Sequence, residues 1–103
     1  MDLAITVNPT PERYLVAVSG EVDISNVPAL RDAINLALEQ PPAVVELDFS
    51  QVSYIDSTGI GVLVGAAHHA REHEKQLAVT HAQPNVMRVA QLLGVDELIG
   101  ITA

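Results

Sequence analysis

Leu3, Ile5 and Val7 alternate with smaller or polar residues, the period-2 pattern of a half-buried strand, until Asn8-Pro9-Thr10-Pro11 breaks the run. Alternation resumes from Tyr14 to Ser19, so the two runs predict an antiparallel strand pair opening the domain. From Val27 the apolar spacing lengthens to Leu30, Ala33, Ile34, Ala37 and Leu38, a helical stripe that Pro41-Pro42 stops. Val44 to Phe49 is apolar enough for a buried strand. A second helical stripe follows in Ile60, Leu63, Val64, Ala67 and Ala70, with Arg71 and Lys75 near its end, where cations suit the helix dipole. Leu77 to Thr80 predicts a short strand. Pro84 suits the first turn of a third helix with Val86, Val89, Ala90 and Leu93 inside and Gly94 just past its end. Ile99 to Thr102 predicts a last edge strand.

Strands separated by helices of this length require parallel crossovers. The predicted fold is therefore a single α/β domain over residues 1–103: a five-stranded mixed sheet made of an antiparallel pair and two βαβ units, with three helices packed on it. The 103 residues, 49% of them hydrophobic, suffice for one core and are too few for two ordinary domains. No apolar run approaches the roughly 20 residues of a membrane-spanning helix, and no leader pattern opens the chain. A soluble, cytoplasmic protein with no direct membrane insertion is expected. The absence of cysteine removes disulfides and thiolate chemistry and agrees with that compartment.

Thirteen acids against five bases give a formal charge of -8, a field that repels nucleic acid and anionic lipid. The same charge serves solubility or attracts a basic partner. Three aromatics, Tyr14, Phe49 and Tyr54, offer no stacking platform for single strands.

The chemistry concentrates in Tyr54-Ile55-Asp56-Ser57-Thr58-Gly59-Ile60-Gly61, where an apolar strand gives way to a helix. Such turns lie at the carboxyl ends of parallel strands, where ligands and partners meet α/β sheets. Asp56 and Ser57 can each cap the helix. Gly59 and Gly61 are expected to keep its first turn open to close approach. Upstream, Gly20-Glu21-Val22-Asp23-Ile24-Ser25-Asn26 links the second strand to the first helix, which Asp23 or Ser25 could cap.

These segments, with Val86-Met87-Arg88-Val89-Ala90-Gln91-Leu92-Leu93-Gly94-Val95 downstream, resemble in residues and order the STAS family, specifically the bacterial anti-sigma factor antagonists. The resemblance implies a non-enzymatic regulator that binds an anti-sigma factor when unphosphorylated and so releases a sigma factor. It implies that Ser57 accepts phosphate from that anti-sigma factor, a serine kinase using ATP and magnesium, and that a phosphatase reverses the reaction. It places Glu21, Asp23, Ser25, Asp56, Ser57, Thr58, Gly59 and Ile60 at the partner surface. A phosphate adds about -1.5 to -2 charges, which the N-terminus of a helix tolerates, so the switch is expected to act by repulsion, bulk and desolvation at the interface. The family usually adds a helix after the last strand, whereas this sequence stops at Ala103, leaving one end of the sheet less covered. An alternative within the fold is a STAS-type accessory subunit of a membrane transporter or stress-signalling assembly.

Other signals are weaker. Gly59-x-Gly61-x-x-x-Gly65 lacks the strand spacing and acidic ribose ligand of a dinucleotide fingerprint. His69 and His73 have a two-ligand spacing, with His68 and Glu72 nearby, but a structural zinc needs four ligands and Ala70 stands where a metalloprotease has glutamate. Ser57 has no nucleophile-elbow context, and His81 is only a remote candidate base. No catalytic residue, metal or cofactor is expected.

Overall fold

A computed structural model describes residues 3–103. The chain runs β1 (Leu3–Pro9), β2 (Arg13–Val22), α1 (Val27–Leu38), β3 (Val44–Ile55), α2 (Ser57–Glu72), β4 (Gln76–Thr80) and α3 (Pro84–Leu92). The turn from β1 to β2 closes on Thr10: its N–H donates to the Arg13 carbonyl at 2.7 Å and its hydroxyl oxygen accepts from the Arg13 N–H at 3.0 Å. That turn makes β1 and β2 antiparallel, with Ile5 opposite Val18 and Val7 opposite Val16. The crossovers through α1 and α2 make β2–β3 and β3–β4 parallel, with Val16, Leu47 and Val79 in register.

Sheet order equals chain order, β1-β2-β3-β4. Right-handed crossovers stepping in one direction put α1 and α2 on the same face. Residues alternate accordingly. Tyr14, Val16 and Val18 of β2, Val45, Leu47 and Phe49 of β3, and Leu77 and Val79 of β4 are buried. They join Leu30, Ile34 and Leu38 of α1, Ile60 and Leu63 of α2, and Val86 and Ala90 of α3 in one cluster. Each large side chain so removed from water is worth about 1.5–3 kcal/mol over leaving it exposed. The other face is polar or small except for Leu15: Thr6, Ala17, Asp48 and Thr80 form one row across the sheet, Asn8, Leu15, Glu46 and Ala78 the next. Arg13 pairs with Glu46 at 2.7 Å, and the Thr80 hydroxyl donates to the same carboxylate at 2.9 Å.

Four expectations need correction. The fifth strand is a single parallel bridge, Val79 with Ile101, so the sheet among the described residues has four strands. Turns through Asp96–Gly100, closed by Ile99 N–H to the Val95 carbonyl and Ile101 N–H to that of Asp96, consume the length that a strand needs. Strand β3 runs past Phe49 to Ile55, because two bulges, each with one extra residue in β3, between Asp48 and Gln51 and between Val52 and Tyr54, keep Gln51, Val52, Tyr54 and Ile55 paired with Ser19, Gly20, Glu21 and Val22. Leu93 is not an inner residue of α3; it is the C-cap and half exposed. Lys75 lies beyond α2, and its ammonium donates to the carbonyls of Gln40 and Pro42, tying the loop before β3 instead of answering the dipole.

Candidate functional site

The parallel pair β2–β3 delivers two loops to one end of the sheet. The Asp56 N–H donates to the Val22 carbonyl at 3.2 Å, so the exits of the two strands are stitched together. Asp56 is extended and is the N-cap of α2, its carboxylate accepting from the Gly59 N–H at 3.0 Å and from the Thr58 hydroxyl at 2.5 Å. The Thr58 hydroxyl is the main reason that this carboxyl titrates below its ordinary value. The N–H groups of Gly59, Thr58 and Ile24 add to the effect, and partial burial opposes it.

Asp23 organises the neighbouring loop. Its carboxylate accepts from the Ser25 hydroxyl at 2.5 Å and from the Ser25 N–H at 2.9 Å, and these bonds lower its pKa, Ser25 hydroxyl first. The nearby Asp56 carboxylate pushes the other way, the electrostatic sign that the two acids share one rim. Neither Asp23 nor Ser25 caps α1. The cap position belongs to Asn26, whose side chain turns back instead, its amide donating to the Glu21 carbonyl at 2.7 Å and its oxygen accepting from the Asp23 N–H at 3.0 Å. Sequence reasoning passed over Asn26; an asparagine directly before Val27-Pro28 at a helix start was the available signal.

The two adjacent hydroxyls have different fates. Thr58 is committed to Asp56, whereas Ser57, at the first position of α2, is exposed and its hydroxyl makes no hydrogen bond among the described residues. Glu21 and Asp23 are half-buried and Ser25 is exposed, all at the same end. Gly59 and Ile60 are different. Both are buried, and a β-carbon on Gly59 would lie 2.6 Å from Cγ1 of Ile55 and 2.8 Å from Cγ1 of Val22. Gly59 therefore lets α2 sit down on the strand exits; it does not open the turn to a visitor. Gly61 does face open space.

His69 and His73 stack on the outer side of α2 with ring nitrogens 2.8 Å apart. Among the described residues no three His, Cys, Asp or Glu side chains gather as a metal site. No helix there is long and apolar enough to cross a membrane.

A sequence model of the family described as "Mlab, STAS domain" matches residues 5–100. The chain belongs to the STAS domain family. This STAS domain is 28% identical over 102 residues to an anti-sigma-B factor antagonist of Listeria monocytogenes, covering 98% of this chain and 90% of the relative. Its fold superposes on an anti-sigma factor antagonist from Mycobacterium paratuberculosis with a TM-score of 0.87 at 26% identity, covering 97% of this chain and 85% of the other. SpoIIAA, an anti-sigma factor antagonist, shares the fold in its unphosphorylated form (TM-score 0.80, 23% identity, 96% and 86% covered). It also does so in its phosphorylated form, from Bacillus (0.73, 22%, 96% and 89%).

Proposed function

We propose that this STAS domain is an anti-sigma factor antagonist switched at Ser57. Unmodified, it binds an anti-sigma factor with serine-kinase activity in the cytoplasm and releases a sigma factor; phosphate on Ser57 ends the complex, and a phosphatase restores it. The domain is the substrate of this chemistry and not its enzyme. One observation carries the assignment: at the head of α2 the exposed Ser57 hydroxyl makes no hydrogen bond among the described residues, while that of Thr58 is held by Asp56. The names of the relatives support the class.

A phosphate at this position lies at the positive end of the α2 dipole, which favours the modified fold. Its effect falls on the partner. The dianion carries a hydration shell that docking must strip, and its bulk stands between two surfaces that fitted without it.

The test is phosphate mapping after incubation with ATP, magnesium and each purified anti-sigma kinase of the source organism. Phosphate on Ser57, with Ser57→Ala refractory yet still bound, is the expected result. Phosphate on Thr58 or Ser53 instead would refute the assignment. Co-purification with an ABC transporter in place of an anti-sigma kinase would move the domain to an accessory-subunit role.

A further inference from the structure

The rim around Ser57 carries two large apolar side chains that the core does not use. Ile24 is 73% exposed and Tyr54 46% exposed. A single exposed apolar residue is ordinary on a protein surface. These two stand together on ordered backbone at the end of the sheet where Ser57 lies. Ile24 lies between Asp23 and Ser25, inside the loop that Asn26 brackets through its bonds to the Asp23 N–H and the Glu21 carbonyl. Tyr54 precedes Asp56 by two residues, on the strand face opposite buried Ile55, and its Cα is paired with Glu21. Backbone hydrogen bonds thus hold both residues at the strand exits that lead to Ser57, so little loop-ordering entropy remains to be lost when they dock. Leu36, 55% exposed, is held as firmly within α1, but it stands near the end of that helix that leads to the start of β3, remote from the strand exits and Ser57.

We propose that Ile24 and Tyr54 are the apolar anchors of the partner interface, entering an apolar recess of the anti-sigma factor edged by arginine or lysine side chains that face Glu21, Asp23 and Asp56. The inference rests on the functional reading above and deepens it. Charge complementarity selects the occupant: a chain of net charge -8, with acids flanking two apolar projections, steers and orients a basic surface. Continuity with Ser57 selects the place. Interfaces concentrate their affinity in a few well-packed side chains, tyrosine prominent among them, surrounded by polar contacts that exclude water. A hydrated phosphate on Ser57 sits at the edge of that dry contact and prevents the anchors from seating, whatever attraction it has for the surrounding cations.

Binding is measured by calorimetry and surface plasmon resonance, without ATP, using the anti-sigma factor that the unsubstituted protein binds. Ile24→Ser and Tyr54→Ser should each weaken the complex at least tenfold, mainly through faster dissociation. Leu36→Ser should stay within twofold. As a second readout, a photoreactive benzoyl-phenylalanine at position 24 should cross-link to the anti-sigma factor, and one at position 36 should not. Serine variants that melt like the parent yet bind within twofold of it, or cross-linking from position 36 but not from 24, would overturn the inference and leave the functional reading standing. If the unsubstituted protein binds no anti-sigma factor of its organism, the functional reading falls and this inference with it.

Discussion

Asp56 holds the first turn of α2 through one carboxylate, so its protonation has a readable effect. Its folded pKa lies below the ordinary 3.8, which means that its contribution to stability is present above that value and is lost as pH falls through the lower, folded one. Asp56→Ala should cost about 1 kcal/mol at pH 7, the usual worth of an N-cap. Urea unfolding of both proteins at pH 7 and pH 3 should show the gap narrowing at the lower pH; a gap that widened would contradict the capping role. Gly59 and Gly61 give a second contrast. Gly59→Ala forces a β-carbon against Ile55 and Val22 and should destabilise by about 1–3 kcal/mol. Gly61→Ala meets nothing and gains helix propensity, up to about 1 kcal/mol. Thermal melts of the pair decide whether the glycines serve packing or access. From sequence, Asp56 and Ser57 were legible because the strand-to-helix pattern placed them, whereas Asp23 joined them only through the family resemblance. The inward role of Gly59 was not legible, since it depends on Val22, a residue 37 positions away that only the sheet register brings near.

At the scale of elements, the strands and helices announced by hydrophobic period formed apart from the last, and β3 outran its apolar run. Ser50 to Ile55 alternates poorly because it is itself bulged, and its strand identity follows from pairing with the end of β2. Conversely, Ile99 to Thr102 looks like a strand yet touches β4 at one bridge, because the preceding turns shorten its reach. Gly100 sits at the hinge of that segment with φ +62, and a β-carbon there would lie 2.8 Å from the Leu77 carbonyl oxygen. Gly100→Ala should release the segment from the sheet. Amide exchange should then accelerate at Val79 and Thr102, whose N–H groups donate to the carbonyls of Gly100 and Val79. Exchange at Leu47, which belongs to the central pair, should hardly change. Equal acceleration across the sheet would mean that the segment is part of the cooperative core.

For the whole molecule, the central expectation is that the Ser57 switch leaves the fold intact. Ser57→Ala, Ser57→Asp and the phosphorylated protein should unfold cooperatively, with midpoints within about 5 °C of one another, a spread of roughly 1 kcal/mol for a domain of this size. Ser57→Asp should bind the anti-sigma factor at least tenfold more weakly than Ser57→Ala, equivalent to 1.4 kcal/mol by calorimetry. A modified protein with molten properties, dye binding and lost near-ultraviolet dichroism, would instead place the switch in the fold. That the strands follow one another across the sheet in the order of the chain has a further consequence, for synthesis. As the polypeptide leaves the ribosome, β2 turns back on β1, β3 arrives at the open edge of β2, and β4 at the open edge of β3. No strand has to be inserted between two already joined, so the growing sheet need not be reopened to admit a later one. Assembly can proceed at the pace of translation, with each new segment finding its neighbour already in place.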